Sequence, residues 1–365
     1  MARTVLIAAG GTGGHLFPAE SLALALRARG WAIHLATDHR VESYGKDFPA
    51  AAVHIVESAT MSREPLAAAR AAFTIGRGIL RARFVIGRVR PDVAVGFGGY
   101  PTVPPMLAAM WAGVPTVVHE QNAVLGRANR LLAPRATRIA SSFATVGGLD
   151  NVPPSHLQQT GNPVRPAVIV ASATPYPPLA GSDPFRLLVF GGSQGARVFS
   201  DLVPAAIALL PEAVRSRLHV VQQCRPEDLG RVHQGYELLG VEADLGPFFT
   251  DMPLRIAASH LVVCRSGAST CAELAVIGRP SILVPLPHAL DQDQRANADV
   301  LSRAGGGWLI EQSELSPARL ADEVSAFLAD PQRLVRAAEA AKTQGRPDAA
   351  ERLADLVENV AVERA

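Results

Sequence analysis

Two stretches of this chain open in the same way. LIAAGGTGGH at 6–15 and LLVFGGSQGA at 187–196 each run an apolar strand into a glycine-rich turn and then into a helical segment. Such a turn exposes backbone N–H groups at the positive end of a helix, which suits an anion or a developing oxyanion. Its occurrence once in each half predicts two similar α/β halves. At 365 residues the chain also exceeds the roughly 250 to 300 residues at which a single core stops growing.

The rest of the pattern agrees. Short β-branched runs alternate with alanine- and leucine-rich helical stretches, the signature of stacked βαβ units around parallel sheets. Strands are predicted near 5–9, 32–36, 53–56, 93–97, 116–118 and 138–140, and again near 186–190, 218–222, 260–264, 281–284 and 307–310. A proline-rich stretch at 151–183 reads as the hinge. The expected division is therefore a first domain over 1–160, a second over 161–335, and C-terminal helices over 336–365 that pack back across the domains. The fold class is α/β, with two Rossmann-like, doubly wound parallel-sheet domains facing a cleft.

Several function classes drop out. Cys224, Cys264 and Cys271 form no CxxC pair, so neither a zinc knuckle nor a secreted disulfide framework is indicated. The N-terminal apolar run is too short for a signal peptide. Val93 to Val118 carries no charge, but Pro101, Pro104, Pro105 and Pro115 break it into strand, loop, short helix and strand rather than a membrane span. A net charge of +2 gives no support for a nucleic-acid binder. No metal or other cofactor is expected: Asp291 and Asp293 resemble a DxD metal motif, but they open a helix, where acids act as caps and complement the dipole.

Three constellations carry the chemistry. His15 stands at the mouth of the first loop and is one of few side chains able to take a hydroxyl proton near neutral pH. The second loop offers N–H groups of Ser193, Gln194 and Gly195, with the Ser193 hydroxyl, to a diphosphate. The third, Cys264-Arg265-Ser266-Gly267-Ala268-Ser269-Thr270-Cys271-Ala272-Glu273, passes from a strand into a helix. Its hydroxyls can meet phosphate, and Glu273 can accept both hydroxyl protons of a ribose. His119 and Glu120 end a first-domain strand, where ligands of open α/β sheets bind, so either is a candidate to orient an acceptor or relay its proton.

GGTGGH at 10–15, PDVAVGFGGY at 91–100, HEQNAVLGRANR at 119–130, GNPVR at 161–165, GGSQGAR at 191–197, the FF-x-DM turn at 248–252, CRSGAST-x-AE at 264–273, and Gln294 with Asn297 and Ala298 stand in one order. In this the chain resembles the MurG family, the peptidoglycan N-acetylglucosaminyltransferases of the GT-B superfamily. The resemblance implies transfer of N-acetylglucosamine from UDP-N-acetylglucosamine to the muramyl 4-hydroxyl of undecaprenyl-diphospho-N-acetylmuramyl-pentapeptide, with inversion. It implies donor contacts at Thr12, Gly13, Gly14, Asn122, Arg165, Ser193, Phe249, Ala268 to Glu273 and Gln294. His15 is then the expected base, with His119 and Glu120 as alternatives. It also implies a role in cell wall biogenesis, cell shape and division, exercised peripherally at the cytoplasmic face of the bacterial inner membrane.

A lipid-linked acceptor needs a membrane surface, and residues 65–90 offer one. At about 100° per residue, Arg70, Arg77, Arg81 and Arg88 fall within roughly 40° of one another on a helix. Leu66, Phe73, Leu80 and Phe84 flank that stripe, a combination that binds an anionic bilayer. Two other readings share part of this evidence. A nicotinamide-dependent oxidoreductase would use Asp38 on a ribose, but Leu16 replaces the last glycine of GxGxxG and a second anion loop has no use there. A UDP-N-acetylglucosamine 2-epimerase shares only the donor half.

Overall fold

The computed structural model describes residues 2–10, 13–40, 48–60, 64–150, 152–192, 195–287, 289 and 291–363. They form two compact units: one of residues 1–165 and 346–365, the other of residues 166–345. The first contains β1 (Thr4–Ala8), β2 (Ala32–Thr37), β3 (Ala52–Ile55), β4 (Val93–Gly96), β5 (Thr116–Glu120), β6 (Arg138–Ser141) and β7 (Leu157–Gln159). Its sheet runs in the order β3-β2-β1-β4-β5-β6-β7, every pairing parallel. The second contains β8 (Phe185–Phe190), β9 (Leu218–Gln223), β10 (Glu242–Gly246), β11 (Leu261–Cys264), β12 (Ser281–Leu283) and β13 (Gly307–Leu309). Its order is β10-β9-β8-β11-β12-β13, again parallel.

Both orders reverse direction at the first strand of the unit. The reversal lies between β1 and β4, whose ends align at Ala8 and Gly96, and between β8 and β11, whose ends align at Phe190 and Cys264. Helices leave such a point in opposite directions, so the loops there have room for a ligand. The two glycine-rich turns of the sequence leave β1 and β8 at these places.

The central strands are buried on both faces because helices cover both. In β1, Val5 and Ile7 join one core layer with Leu22, Leu26, Leu353 and Val357, while Leu6 and Ala8 join another with Met106, Val118 and Ile139. The charge-free stretch 93–118 resolves into β4, a 3-10 turn, the helix Val103–Trp111 and β5. In the second unit, Phe185, Leu187 and Val189 pack with Phe199, Val203 and Phe327.

Two strands, β7 and β10, have no counterpart in the sequence pattern. Both are sheet edges, LQQ and EADLG, with partly exposed residues and no continuous apolar run. The crossings between units also lie slightly beyond the expected 160/161 and 335/336. Residues after β7 stay with the first unit because Thr160 and Gly161 donate to the Ser141 carbonyl and Ser21 Oγ donates to that of Val164. At the other end, the helix Gln332–Gln344 packs on the second-unit helix Ala268–Ile277, and only Ala349–Val362 returns to the first unit. There Arg29 bonds Glu351, Asp355 at 2.7 Å and Glu358 at 2.9 Å.

Candidate active site

In the first unit the helix Gly13–Ala28 starts directly after β1 and carries His15 in its first turn. The imidazole rests on backbone that only glycine can form. Gly98 and Gly99, after β4, have φ of 82° and 77°, and side chains on Gly10, Gly98 or Gly99 would touch the ring within 3.5 Å. Burial lowers the His15 pKa, while Glu120, Gln121 and the Phe97 carbonyl favour the charged ring and Arg40 opposes it. The result is an imidazole that is neutral at physiological pH and available as a base. It lines a cavity of about 420 Å³ with Gly10, Gly99, Tyr100, Ser58, Asp38 and Arg40.

His119 and Glu120 sit one layer below, at the end of β5, both fully buried. Glu120 has no spare capacity as a base. Its Oε1 accepts from the backbone and side-chain nitrogens of Asn122 at 2.9 and 3.1 Å, and its Oε2 from Gly126 N at 2.9 Å and Asn129 Nδ2 at 2.8 Å. It therefore shapes the 121–126 loop, including Asn122. His119 lies 3.0 Å through Nε2 from the Gly161 carbonyl, and burial pushes its pKa down to about 4. Between His119 and His15 lies Gln121, which the sequence reading did not single out. The neighbouring NxxxxxxN spacing of Asn122 and Asn129 around one carboxylate was equally invisible without the fold.

Among the expected donor contacts of this unit, Gly13 is buried and Gly14 exposed at the helix start, and Arg165 lies over the Phe17 ring at 4.7 Å. Thr12 falls outside the described residues, as do Ser193 and Gln194.

The second unit gathers the other expected residues around the ends of β8 and β11. Gly191 turns so tightly that a Cβ would lie 2.3 Å from Ala196 N, and its own N–H donates to Gln223 Oε1 at 3.1 Å. Gly192 and Gly195 follow with φ of 83° and 67°, delivering the chain to the helix Arg197–Ala208. Arg225, absent from the sequence reading, packs the stem of its side chain beside Gly195. After β11, the helix Ala268–Ile277 starts at Gly267, with Ser269 and Thr270 half-buried in its first turn and Glu273 buried one turn on. Cys271 is buried, its thiol pushed up to about 12 by that burial. The Arg265 guanidinium is taken up by the carbonyls of Val284 and Pro285 and by Gln312, and it pins the loop after β12. Gln294 Oε1 accepts from Leu286 N at 3.0 Å and closes the same loop. Phe249 packs on Gly246 under the Arg255 guanidinium, 4.1 Å from its centroid.

The expected membrane face is one unbroken helix, Pro65–Val89, despite Gly76, Gly78 and Gly87. Ala71, Gly78, Ala82, Val85 and Ile86 are buried, while Phe73, Leu80 and Phe84 are 69%, 70% and 71% exposed. Arg77 and Arg81 stand exposed beside them, Arg77 paired with Glu57 at 3.3 Å. Among the described residues no helix is long and apolar enough to cross a membrane.

Comparison with known proteins bears on both units. Residues 5–141 match the glycosyltransferase family 28 N-terminal domain, and residues 186–353 the glycosyltransferase family 28 C-terminal domain. The chain is 56% identical over 98% of its length, and 96% of the relative's, to a protein of Chelativorans sp. (strain BNC1). That relative is named UDP-N-acetylglucosamine--N-acetylmuramyl-(pentapeptide) pyrophosphoryl-undecaprenol N-acetylglucosamine transferase. A protein of the same name from Methylobacterium nodulans is 58% identical, over 98% of this chain and 97% of its own. The crystal structure of Acinetobacter baumannii MurG superposes with a TM-score of 0.78 at 27% identity, covering 98% of this chain and all of that one. With two matched domains, whose loops meet the switch points described above, the chain belongs to glycosyltransferase family 28.

Proposed function

We propose that this chain transfers N-acetylglucosamine from UDP-N-acetylglucosamine to the 4-hydroxyl of undecaprenyl-diphosphate-linked N-acetylmuramyl-pentapeptide, a step of peptidoglycan synthesis. Relatives above half identity carry that activity in their names. The observation that carries the mechanism is the division of chemistry between the switch points: a neutral histidine in one unit, two helix N-termini and a buried glutamate in the other.

His15 accepts the proton of the acceptor hydroxyl as its oxygen bonds to the anomeric carbon. The bond from that carbon to the diphosphate oxygen breaks, and its electron pair leaves with UDP. The N–H groups opening the helices at Arg197 and Ala268, with the Ser193 and Ser269 hydroxyls, stabilise the charge gathering on the diphosphate. Glu273 holds the ribose. A single displacement inverts the anomeric configuration. Gly13, Gly14, Asn122 and Arg165 complete the donor contacts from the first unit's own loops. The aromatic and arginine face of Pro65–Val89 rests on an anionic membrane surface at the cytoplasmic side, where a lipid-linked acceptor resides.

Incubation with labelled UDP-N-acetylglucosamine and a lipid-linked muramyl-pentapeptide should yield UDP and a lipid-linked disaccharide, read by mass. UDP released without a disaccharide contradicts the assignment, and N-acetylmannosamine among the products would favour an epimerase.

A further inference from the structure

We infer that Gln121 is a positioning residue that fixes which nitrogen of His15 receives the acceptor's proton. This rests on the reading of His15 as the base. The Gln121 side chain is buried in the layer beneath His15, at 2% exposure. Its Nε2 lies 2.8 Å from the Phe97 carbonyl, 3.2 Å from the His119 carbonyl and 3.1 Å from His119 Nδ1. Two backbone oxygens can be faced only by a donor, so the amide has one allowed orientation: the reversed one would set Oε1 against both carbonyls.

That orientation decides the rest of the chain. Gln121 Oε1 lies 3.3 Å from His15 Nδ1 and can only accept, so Nδ1 of the neutral ring carries the hydrogen. The lone pair is then on Nε2, the other ring nitrogen, whose side of the ring borders Gly99 and the cavity. The anchor is equally determined. The Gly161 carbonyl, 3.0 Å from His119 Nε2, can only accept, so the His119 hydrogen is on Nε2 and its Nδ1 is left as an acceptor towards the Gln121 amide, whose two hydrogens are shared among three acceptors. A carbonyl in the segment leaving β7 thus sets one histidine, which sets the amide, which sets the other histidine. Without Gln121 either tautomer of His15 is open, and the one with its hydrogen on Nε2 cannot take a proton there.

The charged and titratable groups around His15 are Glu120 and His119 from β5, Asp38 and Arg40 from the segment after β2, and Tyr100 from the turn after β4, the last three lining the same cavity. The Gln121 hydrogen bond and Glu120 favour the protonated ring, and Arg40 disfavours it. Removing the Gln121 acceptor therefore shifts His15 further down.

Two measurements on the full chain decide the matter. The first is the side-chain nitrogen spectrum of the histidine-labelled wild type, with His15 assigned by its loss in His15→Gln. Nδ1 should be protonated and Nε2 not; the reverse overturns the inference, and the tautomer itself is read on the wild type, the variant serving only to assign the signal. The second is the pH profile of kcat. Gln121→Leu should lower the plateau by about tenfold or more, leave the donor KM within about twofold, and move the acid limb to lower pH. Gln121→Glu, held as the protonated acid by the Phe97 and His119 carbonyls, keeps an acceptor oxygen towards His15 and should bring the limb back up. Coincident limbs in all three proteins indicate packing alone and overturn the inference. Full turnover by His15→Ala would instead defeat the base reading, an outcome told apart because it leaves the wild-type nitrogen spectrum untouched.

Discussion

His119 is a neutral histidine with both ring nitrogens engaged and no solvent contact, and that state depends on pH. Burial holds its pKa near about 4, below the 6.5 of an exposed imidazole. The unfolded chain therefore binds more protons between those values, so the stability this group contributes is present above pH 6.5 and lost as the pH falls towards 4. At about 1.4 kcal/mol per pH unit the loss reaches at most roughly 3 kcal/mol. Unfolding followed from pH 7 to pH 4 should show a shallower decline in His119→Gln than in the wild type, and parallel curves would contradict the assignment. Glu120 gives a second test. Glu120→Gln turns one of its two acceptor atoms into a donor facing N–H groups, and should destabilise by about 2 to 4 kcal/mol, with a melting temperature lower by several degrees. The types and spacing of His15, His119 and Glu120 made them readable as candidates in the sequence. Their different roles were not, because these depend on which backbone carbonyls and amides the fold brings to each side chain. Gln121 was missed for the same reason: its importance comes from Phe97 and His15, both distant in sequence.

Among the elements, the helix Pro65–Val89 shows how far pattern alone reaches. Its arginine stripe and flanking aromatics were legible from the 3.6-residue period, and the exposed and buried faces follow that pattern. The glycines were harder to read, since three residues of one type play two different parts. A Cβ on Gly78 would lie 2.0 Å from the Glu57 carbonyl, so this glycine permits close approach of the helix to the segment after β3; Gly76 and Gly87 face open space. Gly78→Ala should therefore destabilise the protein, whereas Gly76→Ala and Gly87→Ala should each stabilise it by about 0.5 to 1 kcal/mol. Thermal melts of the three variants read this directly; a uniform response would mean that helix propensity alone governs the segment. The exposed face has its own test. Replacing Arg77, Arg81 and Phe84 with alanine should weaken binding to anionic vesicles, by about fivefold for each arginine at roughly 1 kcal/mol per basic residue. Activity on a short-chain soluble acceptor should be spared, and equal losses in both assays would contradict a membrane role. The edge strands β7 and β10 escaped the sequence reading because one face and one edge of each are not buried, so neither needs an apolar run.

For the molecule as a whole, the sequence repeat at 6–15 and 187–196 foretold the main architectural fact, that each unit has a switch point with a glycine turn leaving its first strand. The exact crossings between units were less legible. They are fixed by hydrogen bonds such as Thr160 N to the Ser141 carbonyl and by the burial of Leu353, Leu356 and Val357 in the first unit's core. Truncation after Gly345 should consequently expose that core and yield insoluble protein. With UDP held mainly by the second unit, hydrogen exchange at saturating UDP should slow most within residues 186–295. His15, at the end of the loop from Gly10, serves bond formation rather than nucleotide affinity. This is tested most directly by His15→Ala, measuring turnover and UDP dissociation constant on the same preparation. In this variant kcat should fall by about 10² to 10⁴, with UDP affinity within about twofold of wild type. Weakened UDP binding with turnover preserved at saturation would contradict it.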